Sequence, residues 1–80
     1  MIFEVIRVDT YNGFKSNEKP SSFIFQGKRW RIAEIIDRWY DSGIKAGRQK
    51  YDYFKILTDA GQQFILRYNE KYDSWAVKII

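Results

Sequence analysis

The chain contains no cysteine and no histidine, and these absences exclude much of enzyme chemistry. A disulfide, a Ser-His-Asp triad, a thiol nucleophile and the usual zinc sites all require one or both residues. Its five glycines are isolated and form no loop that could cradle a phosphate. We therefore predict a protein that is not an enzyme, with no catalytic residues, no cofactor and no bound metal.

Long apolar runs are also missing. No stretch approaches the roughly 20 apolar residues that a membrane-spanning helix needs. Glu4, Arg7 and Asp9 interrupt the amino terminus, so no uncharged signal-peptide core is present. The lack of cysteine fits a reducing compartment. These features predict a cytoplasmic protein without a membrane partner.

A chain of 80 residues has room for one domain, residues 1–80. A domain this small needs large apolar side chains to form a core, and six Phe, six Tyr and three Trp supply them. We expect Trp39 and Trp75 to lie in that core, whereas Trp30 lies beside a turn and its role stays open. Asn12-Gly13 and Pro20 predict a mobile connection at about residues 10–21.

The carboxyl-terminal half has the clearest pattern. Apolar and polar residues alternate through residues 51–58, 62–68 and 74–80, as in half-buried strands. Phe54, Phe64 and Trp75 are the largest side chains on the apolar faces. Gly61 ends a three-residue loop and is expected to adopt the left-handed conformation. The pattern predicts a three-stranded antiparallel meander.

The amino-terminal half adds further strands. Residues 2–8 are rich in β-branched side chains, and residues 23–25 can pair with residues 30–32 across a tight turn at 26–29. Altogether we predict an all-β fold of five or six antiparallel strands in a small curved sheet or partly open barrel. The alternative is an α+β fold with one helix near residues 32–40.

That alternative comes from the segment 30–41. Ile32, Ile35, Ile36 and Trp39 have the i, i+3, i+4, i+7 spacing of an amphipathic helix. No capping residue precedes the run, however, and isoleucine and tryptophan favour strands. A strand with a bulge near Ile35 and Ile36 explains the same spacing. We favour the bulged strand.

The positive charge is concentrated in one segment. Residues 28–50 hold seven basic and three acidic residues, which accounts for the whole net charge of +4. Aromatic residues alternate with these cations, a combination typical of surfaces that bind single-stranded nucleic acid. The candidate nucleic-acid-binding residues are Lys28, Arg29, Trp30, Arg31, Arg38, Lys45, Arg48, Lys50 and Tyr51.

Other interpretations of this segment stay open. The basic residues are also compatible with an ordinary solvated surface. Glu34, Asp37 and Asp41 could together hold a magnesium ion, but ion pairs with the neighbouring cations explain them more simply. We predict an accessory module that binds single- or double-stranded nucleic acid. The alternative is a module for protein–protein interaction or self-association, with a protein partner or a homodimer.

One stretch also resembles a known family. Phe23-x-Phe25-Gln26-Gly27-Lys28-Arg29-Trp30-Arg31-Ile32, followed by Ile36-Asp37-Arg38-Trp39, is similar to the pattern of a family of small, uncharacterised bacterial cytoplasmic proteins. The resemblance covers about residues 20–80. It continues through Tyr53-Phe54-Lys55-Ile56, Gly61, Phe64, Leu66, Tyr68 and Trp75. A similar domain of unknown function accompanies translesion-type DNA polymerases, so the resemblance implies an accessory role near DNA.

Overall fold

The computed structural model describes residues 3–10, 19–41 and 50–80, which form six antiparallel strands. Strands adjacent in the chain pair with each other, and β1 also pairs with β6, so the sheet closes into a barrel. This confirms the predicted all-β fold, and the α+β alternative is wrong. The strands are β1 (Glu4–Thr10), β2 (Pro20–Phe25), β3 (Lys28–Asp41), β4 (Tyr51–Thr58), β5 (Gln63–Asn69) and β6 (Ser74–Ile79).

The barrel consists of two sheets that share β1 and β3. Residues 4–6 of β1 pair with β6, whereas residues 7–10 pair with β2. Likewise, residues 28–31 of β3 pair with β2, and residues 32–41 pair with β4. The larger sheet contains β3, β4, β5, β6 and β1, and the smaller one contains β1, β2 and β3. In the part of the chain that the structure describes, no helix is long and apolar enough to cross a membrane.

The core is aromatic and lies between the two sheets. Trp75 packs with its ring centroid 5.5 Å from that of Phe54 and 5.0 Å from that of Tyr68. Phe64 packs against Phe23 instead, at 5.2 Å. This arrangement confirms the predicted meander of β4, β5 and β6. The buried cluster consists of Phe23, Phe25, Phe54, Ile56, Phe64, Leu66, Tyr68, Trp75 and Val77.

Strand β3 contains two irregularities in its pairing with β4. Ile32 pairs with Thr58 and Glu34 with Leu57, which leaves Ala33 without a partner in β4. A second shift between Ile35 and Asp37 leaves Ile36 unpaired in the same way. These bulges are the reason why apolar residues recur at helix-like spacing in a strand. The predicted bulged strand is confirmed, with two bulges in place of one.

The second bulge explains why our expectation for Trp39 is wrong. A strand with one bulge at Ala33 would direct Ile32, Ile35 and Trp39 to the same face. The extra residue at Ile36 reverses the alternation again, so Trp39 faces outward and is 40% exposed. Trp75, in contrast, is buried as expected.

Two tight hairpins set the register of the strands. Phe25 pairs with Lys28, so the first hairpin turns at Gln26 and Gly27, both with positive φ as in a type I′ turn. This turn is two residues shorter than the predicted one. In the hairpin between β4 and β5, Gly61 donates its N–H to the carbonyl oxygen of Thr58 and has φ +85°. Its left-handed conformation is as predicted.

The predicted connection at residues 10–21 overlaps both flanking strands. Thr10 ends β1 and pairs with Pro20, which begins β2 and is buried. Ser21 also lies in β2, where its hydroxyl donates to the carbonyl oxygen of Asp9 at 3.1 Å. Residues 11–18 lie outside the described part of the chain, so the prediction of mobility stays a prediction for them.

Substitution of Gly61 tests this hairpin. A Cβ at Gly61 would have no atom within 4 Å, so the cost of a side chain there comes from backbone strain alone. We expect Gly61→Val to lower the free energy of unfolding by more than about 1 kcal/mol, because β-branched residues resist positive φ. Gly61→Asn is the matched control and should cost less. Urea denaturation measures both, and a Gly61→Val protein as stable as wild type would contradict the turn geometry.

Candidate functional site

Three of the candidate basic residues lie at the amino-terminal end of β3. The ammonium of Lys28 lies 4.3 Å from the ring centroid of Trp30, close enough for a cation–π contact. Trp30 is half buried, and its indole N–H donates to the carbonyl oxygen of Phe25 at 3.3 Å. Its ring packs 5.0 Å from Phe64. Trp30 is therefore mainly a core residue and presents little free ring face.

Arg29 is already engaged within the protein. Its Nη1 donates to Oδ2 of Asp9 at 2.7 Å and to the hydroxyl of Ser22 at 3.0 Å. The hydrogen bond from Arg29 is the main cause that lowers the pKa of Asp9 below its ordinary value. Desolvation of the carboxylate opposes this effect, and the charge of Arg29 adds to it. A guanidinium held in this way is less available to a phosphate.

Arg31 is the freest cation at this end. It is exposed, and it lines a cleft of about 460 Å³ together with Ser21, Ser22, Arg29, Ile32 and Asp59. The cleft lies where β3 leaves β2 and pairs with β4, and the N–H of Asp59 bonds to the carbonyl oxygen of Arg31 there. Its charged lining is mixed, with two arginines and one aspartate, so it does not select strongly for anions.

The remaining candidates lie at the other end of β3. Arg38 places its guanidinium 4.6 Å from the ring of Phe54 and 3.7 Å from a carboxylate oxygen of Asp52. Lys50 is exposed and precedes β4, whose first residue, Tyr51, pairs with Asp41. Ten residues of extended strand separate Lys28 from Arg38, a span of roughly 30 Å.

The candidate residues that the structure describes therefore form two separate groups and not one patch. Lys28, Arg29 and Arg31 lie at one end of β3, and Arg38, Lys50 and Tyr51 lie at the other. Lys45 and Arg48 lie outside the described residues. The structure does not bring Lys50 to the first group.

A more concentrated cluster lies on the outer surface of the larger sheet. Trp39 pairs with Tyr53, and Tyr53 pairs with Arg67, so the three side chains form a row across β3, β4 and β5. The rings of Trp39 and Tyr53 are stacked, with centroids 5.3 Å apart and planes 6° apart. We call this surface the outer aromatic face. It consists of Phe3, Trp39, Tyr51, Tyr53, Arg67 and Lys78.

Arg67 lies at the centre of the outer aromatic face. Its guanidinium is 4.1 Å from the ring centroid of Phe3 and 4.4 Å from that of Tyr51. The ammonium of Lys78 lies 5.4 Å from the ring of Phe3. Phe3 also approaches Tyr53, at 6.2 Å between centroids. Rings and cations are thus interleaved on one solvent-facing surface.

This arrangement combines two recognition chemistries. Aromatic faces stack with planar groups such as nucleobases, and the neighbouring cations attract phosphates. Each surface cation–π contact stabilises the protein by only about 0.5–1 kcal/mol, so a ligand can displace it at moderate cost. Trp39 is the most accessible ring of the face.

Acidic residues border the face along β3. Glu34 and Asp37 are exposed, and Asp37 pairs with Lys55 in the strand register. In the described part of the chain, no group of three or more acidic side chains is positioned to hold a metal ion. The hypothetical magnesium site of Glu34, Asp37 and Asp41 is therefore not formed.

Sequence reasoning missed five members of the outer aromatic face as candidates: Phe3, Trp39, Tyr53, Arg67 and Lys78. A signal for three of them was present, since Tyr53, Arg67 and Lys78 occupy the alternating positions that face away from Phe54, Leu66 and Val77. The alternation does not predict the strand order, and it is the strand order that brings Phe3 beside β5 and β6.

Comparisons with known proteins found no matching family model, no matching curated protein and no matching solved structure. The resemblance to the polymerase-associated domain stays a prediction.

The Asp9–Arg29 pair predicts a specific dependence of stability on pH. Because folding lowers the pKa of Asp9, the unfolded chain binds the proton more tightly, and the ion pair stabilises the fold above the unfolded pKa of about 3.8. This contribution is lost as the pH falls through the lower, folded pKa.

We therefore expect Asp9→Asn to be less stable than wild type at neutral pH, and the difference to shrink below about pH 4. Thermal unfolding of both proteins across this range measures it, with Asp59→Asn, an exposed turn carboxylate, as the control. A stability difference that does not change with pH would contradict the ion-pair assignment.

Proposed function

We propose that this protein is a non-enzymatic module that binds single-stranded nucleic acid on its outer aromatic face. The observation that carries the proposal is the stacked, outward-facing pair of Trp39 and Tyr53 beside Arg67. Aromatic side chains in a core do not require neighbouring cations. Tryptophan is usually well buried in folded proteins, so an exposed tryptophan beside a cation is unusual. An exposed tryptophan in a row with a tyrosine and a guanidinium suits a chain of stacked bases and phosphates.

The shape of the surface favours single strands over a duplex. Bases in a duplex are stacked on each other and hide their faces, whereas an unpaired strand exposes them to aromatic side chains. The larger sheet is a continuous surface of five strands, and its outward-facing rings come from β3, from β4 and from Phe3. The expected cytoplasmic location and an accessory role near DNA belong to the same proposal.

In the proposed complex, the cations and the rings would contribute to the binding affinity in different ways. Arg67 and Lys78 would neutralise phosphates, so affinity would fall with salt by a log–log slope of about −0.7 per phosphate contacted. Trp39 would stack on a base, a contact of about 1–3 kcal/mol that depends little on salt.

A titration of fluorescent single-stranded oligonucleotides at several salt concentrations tests this proposal. We expect Trp39→Ala to weaken binding by about fivefold to 150-fold at every salt concentration. Arg67→Gln should weaken binding at low salt and make the slope shallower by about 0.7. Circular dichroism and thermal unfolding would establish that each variant is folded.

The chain offers a matched control for the tryptophan. Tyr72 is 62% exposed, and Lys71 lies 5.3 Å from its ring, but both residues lie in the turn between β5 and β6. Tyr72→Ala should leave binding unchanged. Arg31→Gln tests the alternative site at the first hairpin and should also have little effect. Absence of binding at low salt, or equal losses from Tyr72→Ala and Trp39→Ala, would contradict the proposal.

A further inference from the structure

One lysine of β4 lies beside the outer aromatic face and has no carboxylate partner among the described residues. Lys55 is two residues from Tyr53 on the same strand, so both side chains point to the outer side of the larger sheet. Lys55 is half buried, yet it forms no ion pair with a described residue. Lysine is rarely buried without a partner, so this ammonium is available to an anionic ligand.

A second lysine lies in the same row across the sheet. Lys55 pairs with Ile65 of β5, and Ile65 pairs with Lys78 of β6. Because neighbouring strands are about 4.8 Å apart, the two lysines are separated by roughly 10 Å across the strands. Lys78 is also half buried, and it likewise forms no ion pair within the described part of the chain. We call Lys55, Ile65 and Lys78 the lysine row.

The lysine row runs parallel to the row of Trp39, Tyr53 and Arg67. On β4 and on β5, the members of the two rows are two residues apart, which is a distance of about 7 Å along the strand. A nucleotide has a similar division, because its base and its phosphate lie on different sides of the sugar. A single strand that crosses the sheet can therefore place its bases over the rings and its phosphates over the lysines.

The distribution of charge gives the direction of the nucleic-acid backbone. The β3 residue in register with Lys55 is Asp37, whose exposed carboxylate accepts the N–H of Arg38 at 2.8 Å. A carboxylate at this end of the row repels a phosphate, whereas Lys78 at the other end attracts one. The backbone is therefore expected to run away from β3, over β4 and towards β6.

We infer that the lysine row binds the phosphate backbone of the single strand. Lys55 binds a phosphate adjacent to the base that stacks on Trp39, and Lys78 binds a phosphate further along the same side of that base. This inference rests on the proposed nucleic-acid function and deepens it, because it adds Lys55 as a binding residue and gives the path of the ligand. The ligand is a single strand that crosses the β-strands from β3 towards β6.

Oligonucleotides with a single base test this path. The probe is an abasic deoxyribose phosphate chain with one adenine in its middle, so only one base can stack on Trp39 and the register is fixed. Its phosphates are replaced, one at a time, by uncharged methylphosphonates. Each replacement is combined with Lys55→Gln or Lys78→Gln in a double-mutant cycle. A direct contact is identified where the lysine substitution has no further effect once the phosphate is neutral.

The expected results separate the two lysines. Lys55→Gln and Lys78→Gln should each make the log–log salt slope shallower by about 0.7, which is about fivefold in affinity over a tenfold range of salt. Lys55 should couple to a phosphate next to the adenine, and Lys78 to one further away on the same side. Lys71→Gln is the matched control, since it removes an equal charge in the turn between β5 and β6 and should leave the slope unchanged. Circular dichroism would establish that each variant is folded.

Three outcomes would overturn the inference. Two of them concern the path: coupling of both lysines to the same phosphate, or to phosphates on opposite sides of the adenine. The third is an equal change of slope from Lys71→Gln and Lys55→Gln, which would mean that only the net charge matters. In each case, a loss of affinity on Trp39→Ala would still support the proposed function. Absence of binding by any oligonucleotide would contradict both.

Discussion

The hydrogen-bond register between β3 and β4 determines which side chains of this barrel face water. Each bulge in β3 adds one residue that has no partner in β4, and each one reverses the alternation of inner and outer side chains. The first bulge lets Ile32 and Ile35 both pack on the core. The second turns Trp39 outward onto Tyr53. A strand with one bulge would place an indole in the core and leave the outer aromatic face without its most exposed ring.

The partner change in β3 has a second consequence. Because β3 pairs with β2 at its beginning and with β4 afterwards, the cations that β3 carries are divided between the two sheets. Arg29 becomes a structural residue that holds Asp9. The strongest grouping of cations and rings instead involves Arg67 and Lys78, which lie outside that segment. Proximity in the sequence is therefore a poor guide to the electrostatics of this small barrel.

Much of the fold could be predicted because local patterns and local physics agree. Period-two alternation gives β4, β5 and β6, and the need for positive φ at Gly61 gives their first turn. The missing helix cap favoured a strand at residues 30–41. The number of bulges could not be predicted, since it depends on contacts between β3 and the core that arise only when the barrel closes.

The candidate site was less predictable for the same reason. Tyr51 was identified from its basic neighbours, but its actual cation partner, Arg67, comes from the next strand. Phe3 reaches the face because β1 closes the barrel against β6, a contact between the two ends of the described chain. Long-range pairing of this kind leaves no local pattern in one sequence.

The position of the Trp39 indole tests the account most directly. Nuclear Overhauser contacts in the unmodified protein can be measured between the indole protons of Trp39 and the ring protons of Tyr53, whose centroids are 5.3 Å apart. The two-bulge register predicts these contacts, and it predicts none from Trp39 to the buried side chains of Ile56 and Leu66. Contacts from Trp39 to Ile56 or Leu66, without contacts to Tyr53, would contradict the register and the outer aromatic face together.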